Sequence, residues 1–131
     1  MIGAGFTPGA PVLVYLHSPR EKVWGVLMSI LPAGIAIRGI ELTAFEDFLR
    51  QEARRETGLG LVTLFYPISR VERMELDETV GGLEGIADRF RRETGRSIQD
   101  AAGLAARSAG SRSASSRSVS RRSVSIRRKP R

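Results

Sequence analysis

Few side chains in this sequence are of the kinds that make or break bonds. The single histidine, His17, has the proton affinity of a general base, because an unperturbed imidazole titrates near neutrality. It follows an apolar run and has no carboxylate spaced to orient its ring, so it reads as a surface histidine at a strand end. Glu46, Asp47, Glu52 and Glu56 fall within eleven residues and would suit a hard cation, but helix capping and a solvated helix face explain the same residues. Ser69 lacks the glycine elbow and the basic partner that activate a nucleophilic serine. Gly3, Gly5 and Gly9 evoke a phosphate loop, yet the spacing is wrong and no Lys-Ser/Thr pair follows. There is no cysteine, which removes disulfides, thiol nucleophiles and thiolate zinc sites. The expectation is a protein that is not an enzyme, with no cofactor, no metal and no small-molecule substrate.

The remaining chemistry is phosphate binding by arginine, and it is unevenly placed. Residues 1–96 carry 12 basic and 13 acidic side chains, net −1; residues 97–131 carry 9 and 1, net +8; together these give the chain's +7. The cations of the second piece are Arg107, Arg112, Arg117, Arg121, Arg122, Arg127, Arg128, Lys129 and Arg131. Arg107, Arg112, Arg117 and Arg122 recur every five residues among serines. Arginines in such a tract neutralise phosphates and release counterions, which drives binding that ignores base sequence. Phosphorylation of the serines would reverse the local charge. The large apolar residues from 107 onward are only Val119, Val124 and Ile126, too few to offset the entropy of ordering, so 96–131 is expected to be a disordered basic tail. The tail resembles the arginine-serine segments of RNA-associated proteins. The partner expected through it is RNA or DNA; the competing reading is a bland tail on a structural or regulatory module that forms homo-oligomers or docks other proteins.

Upstream, the alternation of apolar residues predicts five strands. They are Pro11–His17, Lys22–Leu31, Gly34–Leu42, Leu59–Ile68 and Val71–Asp77, after a Gly/Pro-rich leader over 1–10. Trp24, Val26, Met28 and Ile30 form one apolar face of the second strand, and Gly25 and Gly39 are candidate bends. Pro67 cannot donate to a ladder, so its strand should end there or lie at an edge. A helix is predicted over 43–57, with Thr43 and Glu46 as a capping box, Phe45, Phe48, Leu49 and Ala53 as its apolar stripe and Gly58 as its C-cap. A second helix is predicted over 82–94, ended by Gly95, and Ser97–Ala106 has room for another helical turn or two. Trp24 and Phe65 are expected in the core, whereas the polar tip of Tyr66 suits a rim where it could meet a partner. No apolar run is long enough to span a bilayer and the N-terminus lacks a signal-peptide pattern, so the expected compartment is the cytoplasm, with no membrane contact.

Gly25-Val26-Leu27-Met28-Ser29-Ile30, the turn at Pro32–Gly34 and Ile35-Ala36-Ile37 resemble the bent second strand and the third strand of the bacterial Sm-type RNA chaperone family. Leu64-Phe65-Tyr66-Pro67-Ile68-Ser69 resembles the start of that family's second motif. The resemblance implies a mainly β domain over 11–95. Its fold would be a small five-stranded antiparallel barrel of the SH3/Sm-like kind, with a helix inserted between strands 3 and 4, a C-terminal helix and, as a family trait, ring formation. The family's Tyr-Lys-His cluster, which contacts RNA, is replaced here by Leu64, Phe65 and Tyr66, so no RNA-contact residue carries over.

Overall fold

The computed structural model describes residues 5–104. The strands are β1 (Pro11–Leu16), β2 (Glu21–Leu31), β3 (Gly34–Glu41), β4 (Val62–Pro67) and β5 (Val71–Leu76); the helices are α1 (Phe45–Ala53), α2 (Ile86–Thr94) and a single turn, α3 (Ile98–Ala101). All strand pairs are antiparallel, in the order β4-β3-β2-β1-β5. The mainly β class and the positions of α1 and α2 are as expected from the sequence, and β4, which carries Pro67, is an edge strand.

The closed barrel is not formed. β4 pairs only with β3 and β5 only with β1, so the sheet is open. It is nonetheless strongly curled. Only Ile68–Arg70, a 3-10 turn, separates the two edge strands. Three such residues rise about 6 Å, whereas five flat strands would hold their edges about 19 Å apart. The corner is also stitched to both hairpins: the Ile68 amide donates to the Ala33 carbonyl (2.8 Å) and the His17 amide to the Arg70 carbonyl (3.1 Å). Bent strands license curl, but closure requires a β4–β5 hydrogen-bond register, which apolar periodicity does not encode.

The curl passes through a row of opposed positions, Leu76, Val12, Gly25, Gly39 and Val62, with two facing glycines at its centre. A Cβ on Gly25 would overlap the Arg38 carbonyl oxygen and the Gly39 Cα; one on Gly39 would overlap the Trp24 carbonyl. The strand backbones are therefore closer there than any side chain permits.

Each face of the sheet carries a buried cluster. The concave face gathers Val12, Val14, Leu16, Val23, Leu27, Ile35 and Ile37, flanked by Leu64, Tyr66, Val71, Met74 and Leu76 from the edge strands. The other face carries Trp24, Val26 and Ile40 beneath Phe45, Phe48 and Leu49 of α1, Phe90 of α2, and Ile98 and Ala102 at α3. Trp24 packs edge-on against Phe45 at 5.0 Å, and Phe48 stacks on Phe90 at 5.6 Å. Trp24, Val26 and Met28 share this face as the alternation requires, but Ile30 does not join them. A register shift between Leu27 and Ser29 turns Ile30 opposite Ile35, and it is half-exposed at the hairpin end.

Several local expectations are revised. Thr43 makes no capping hydrogen bond: it lies in a 3-10 turn, Leu42–Ala44, and α1 begins after an uncapped Ala44. Glu46 is drawn away to Arg89, which donates to both of its oxygens (2.8 and 2.9 Å) and ties α1 to α2. The helix stops at Ala53, earlier than Gly58, and the left-handed residue after it is Arg55 (φ 60°). A side chain in that conformation costs about 1–2 kcal/mol, so Arg55→Gly should raise the thermal midpoint by several degrees in a calorimetric scan. Gly95 caps α2 at φ 79°, as expected.

The folded body also extends past the 95/96 boundary and reaches into the leader. Ile98 and Ala102 are buried, and the Ser97 hydroxyl caps α3 by accepting from the Asp100 amide (3.0 Å). Arg38 donates to the Ala102 carbonyl (2.7 Å), and Gln99 to the Gly9 carbonyl (2.8 Å). Ser97–Ala106, where the sequence has room for another helical turn or two, holds the turn α3, and Ile98 and Ala102 join the cluster that contains Trp24.

Candidate functional site

The residues first considered for chemistry remain apart. His17 is exposed after β1, and its ring nitrogen contacts only the Ser18 hydroxyl (3.2 Å). Ser69 is exposed on the 3-10 corner and has no imidazole partner. Of the α1 carboxylates, Glu46 pairs with Arg89, Asp47 with Arg50 (3.2 Å) and Glu52 with Arg96 (2.7 Å). No group of three acidic or histidine side chains is placed to hold a metal among the described residues. Gly9 is docked, its amide donating to the Leu27 carbonyl (2.7 Å). Nor is any helix of the described residues long and apolar enough to cross a membrane.

Six of the body's twelve cations pair with its own carboxylates. Besides the pairs above, Arg70 meets Glu21, Arg73 meets Glu75, Arg89 also meets Glu93, and Arg92 meets Glu84. Hydrogen bonding from Arg89 holds Glu46 below the usual carboxylate range, and Arg92 does the same for Glu84. A depressed carboxylate contributes stability above its unfolded pKa, and that contribution is lost as pH falls through the folded value. Acidification below the ordinary glutamate range should therefore lower the thermal midpoint, and Glu46→Gln should flatten that dependence. The direct readout is a series of melts between pH 3 and pH 7, roughly the window over which carboxylates titrate.

The aromatics divide differently from the sequence expectation. Trp24 is fully buried, but Phe65 is 49% exposed, which overturns its assignment to the core. Phe65 lies opposite Ala36, on the face that the helices cover only around Trp24 and Ile40, and its ring sits over Gly34. Tyr66, expected at a rim, packs partly into the concave cluster, with the Arg70 guanidinium 6.0 Å from its ring. Burial, and then Glu21, raise its phenol above the usual value.

Two surfaces stand out. One is a shallow cleft of about 510 Å³ lined by Arg20, Glu21, Lys22, Glu41, Leu42 and Thr43, which mixes both charges and converges on no reactive group. The other is the edge of β4, which pairs with no second strand among the described residues. From Leu59 to Ser69 the chain carries no charged residue, and Leu59, Val62, Phe65 and Ile68 are all exposed along it. Ile30 and Leu31 extend the apolar patch across the neighbouring hairpin turn. The Pro67 signal placed β4 at an edge, but the missing charges along that edge are what give it functional weight. No family model matches the chain, and no curated protein or solved structure matches it. The basic residues Arg107, Arg112, Arg117, Arg121, Arg122, Arg127, Arg128, Lys129 and Arg131 lie outside the described residues.

Sequence reasoning missed Asp77, the residue that organises the helical layer. It is buried at the end of β5. One oxygen accepts from Trp24 Nε1 (2.7 Å) and the Ala87 amide (2.6 Å), and the other from the Ile86 amide (2.7 Å). α2 begins after Gly85, which has no side chain to cap it, so Asp77 satisfies the first-turn amides from nine and ten residues away. A local capping search cannot find a cap at that separation.

Proposed function

We propose that the protein is a non-enzymatic interaction module: a small curled β-sheet body with a cationic C-terminal tract that binds RNA or DNA without regard to base sequence. The partition of cations carries this reading. The body is close to neutral and pairs six of its twelve cations internally, whereas residues 97–131 hold 9 basic side chains against 1 acidic one. Arginines already paired with carboxylates release few counterions on meeting a phosphate; unpaired ones release one each. The bent, glycine-bearing β2 and β3 support the likeness to the Sm/SH3-like group, without its closed barrel and without its RNA-contact cluster. The test compares binding of a single-stranded oligonucleotide by the full chain and by a chain ended after Leu104, which retains both core clusters. Loss of binding on truncation is expected; equal affinity in the two chains would refute the role of the tract.

A second reading is a self-associating module whose function is assembly, with no role in nucleic-acid binding. The uncharged, exposed edge of β4 favours it, since such edges template strand pairing with another chain.

A further inference from the structure

We propose that β4 is a homodimer interface, pairing antiparallel with β4 of a second copy so that two five-stranded sheets become one of ten strands. The proposal rests on the assembly reading above and names its surface and its partner. It begins from the contrast between the two free edges. β5 reads Val-Glu-Arg-Met-Glu-Leu, with Arg73 hydrogen-bonded to Glu75 (2.9 Å) and a register irregularity where it pairs with β1. Charges and bulges are the devices that keep an edge strand solitary. β4 reads Val-Thr-Leu-Phe-Tyr-Pro, with no charge and an unbroken register against β3; its one protective residue, Pro67, sits at its last position. An exposed edge of that composition is an aggregation hazard unless something covers it.

The complementarity is with itself. The uncharged run covers residues 59–69, and Leu64 is its midpoint. A two-fold axis at Leu64 sets Val62–Tyr66 of the strand against its copy, with Thr63 facing Phe65 and Val62 facing Tyr66 across the seam. Antiparallel pairing also brings the Ile68 end of one strand to the Leu59 end of the other, and both residues are exposed in the single chain. Such an isologous contact closes at two copies. Pairing β4 with β5 of a neighbour would instead set Val62 and Phe65 among Glu72, Arg73 and Glu75. That arrangement packs charged side chains against apolar ones and would propagate into a ring or filament.

The experiment is sedimentation of the full chain, with Phe65→Lys, Val62→Lys and, on the opposite edge, Arg73→Glu. The wild type should sediment at twice the 14.3 kDa chain mass. Each lysine should raise the dissociation constant about 30-fold or more, the scale of losing a central interface anchor. Both substituted side chains are exposed in the single chain, so the melting temperature of the monomer should hold; Val62→Lys serves if Phe65→Lys fails to fold. Arg73→Glu should leave the dimer intact. A monomeric wild type would overturn both this proposal and the assembly reading. An oligomer that survives both lysines, or that Arg73→Glu dissociates, would overturn the β4 dimer while leaving assembly standing.

Discussion

Asp77→Ala should cost about 3–4 kcal/mol and detach the helical layer from the sheet. Three donors converge on this carboxylate: the indole N–H of Trp24 and the amides of Ile86 and Ala87. Removing it leaves the indole donor buried without a partner, which costs about 1–3 kcal/mol. Losing an acidic helix cap adds about 0.5–2 kcal/mol. In a body of about 100 residues that total corresponds to a melting-point drop of roughly 12–30 °C. Asp77→Asn separates the contributions. Its carbonyl oxygen can replace the carboxylate oxygen shared by Trp24 and Ala87, but its amide then faces the Ile86 N–H, so about half of the loss should remain. Chemical denaturation followed by Trp24 fluorescence reads both, because the indole is the donor left without a partner. If Asp77→Ala melts within a few degrees of wild type, Asp77 does not hold the helices to the sheet.

Gly25→Ala should be comparably damaging for a different reason. The added methyl meets backbone, the Arg38 carbonyl and the Gly39 Cα, and backbone at the centre of a five-stranded sheet cannot step aside as a flexible side chain would. Overpacking typically costs about 1–3 kcal/mol, and the upper end is expected where the obstacle is rigid. Gly39→Ala should behave alike, since its methyl would strike the Trp24 carbonyl. Gly60→Ala and Gly82→Ala are the controls, because no atom lies within 4 Å of either added methyl. Equal melting temperatures for Gly25→Ala and Gly60→Ala would mean that the facing glycines are not what permits the curl.

These two positions show what the sequence makes visible. Gly25 and Gly39 stood out because glycine inside a strand is conspicuous, and the inference of a bend followed. That the two face each other required a pairing register, which depends on the turn at Pro32–Gly34 and on the shift between Leu27 and Ser29. Asp77 was invisible because its partners lie 53, 9 and 10 residues away and nothing local announces them. The elements themselves were legible from alternation and from the apolar stripe of α1. Closure is not legible in the sequence, because an open curl and a closed barrel need the same bent strands and differ only in whether two edges pair. Hydrophobicity alone points Phe65 to the core, but its strand position alternates with Leu64 and Tyr66, which take the inward face.

The same alternation clarifies the β4 edge. A strand whose inward residues are Leu64 and Tyr66 and whose outward ones are Thr63 and Phe65 carries no charged side chain of its own to keep it apart from other strands. That property belongs to the body and is independent of the basic tract, so assembly and phosphate binding should separate cleanly by mutation. Phe65→Lys should alter mass without weakening the tract, and truncation after Leu104 should do the reverse.

The central claim is that phosphate binding resides in the basic tract and not in the folded body. Its most direct test is the salt dependence of single-strand binding by the full chain, followed as log K against log salt. Each phosphate neutralised contributes a slope of about −0.7, so engagement of most of the tract's cations should give a slope of roughly −4 to −6. The chain ended after Leu104 should show almost no binding on which to measure a slope. A full-length slope near zero, or a truncated chain with the same slope as the full one, would contradict the account.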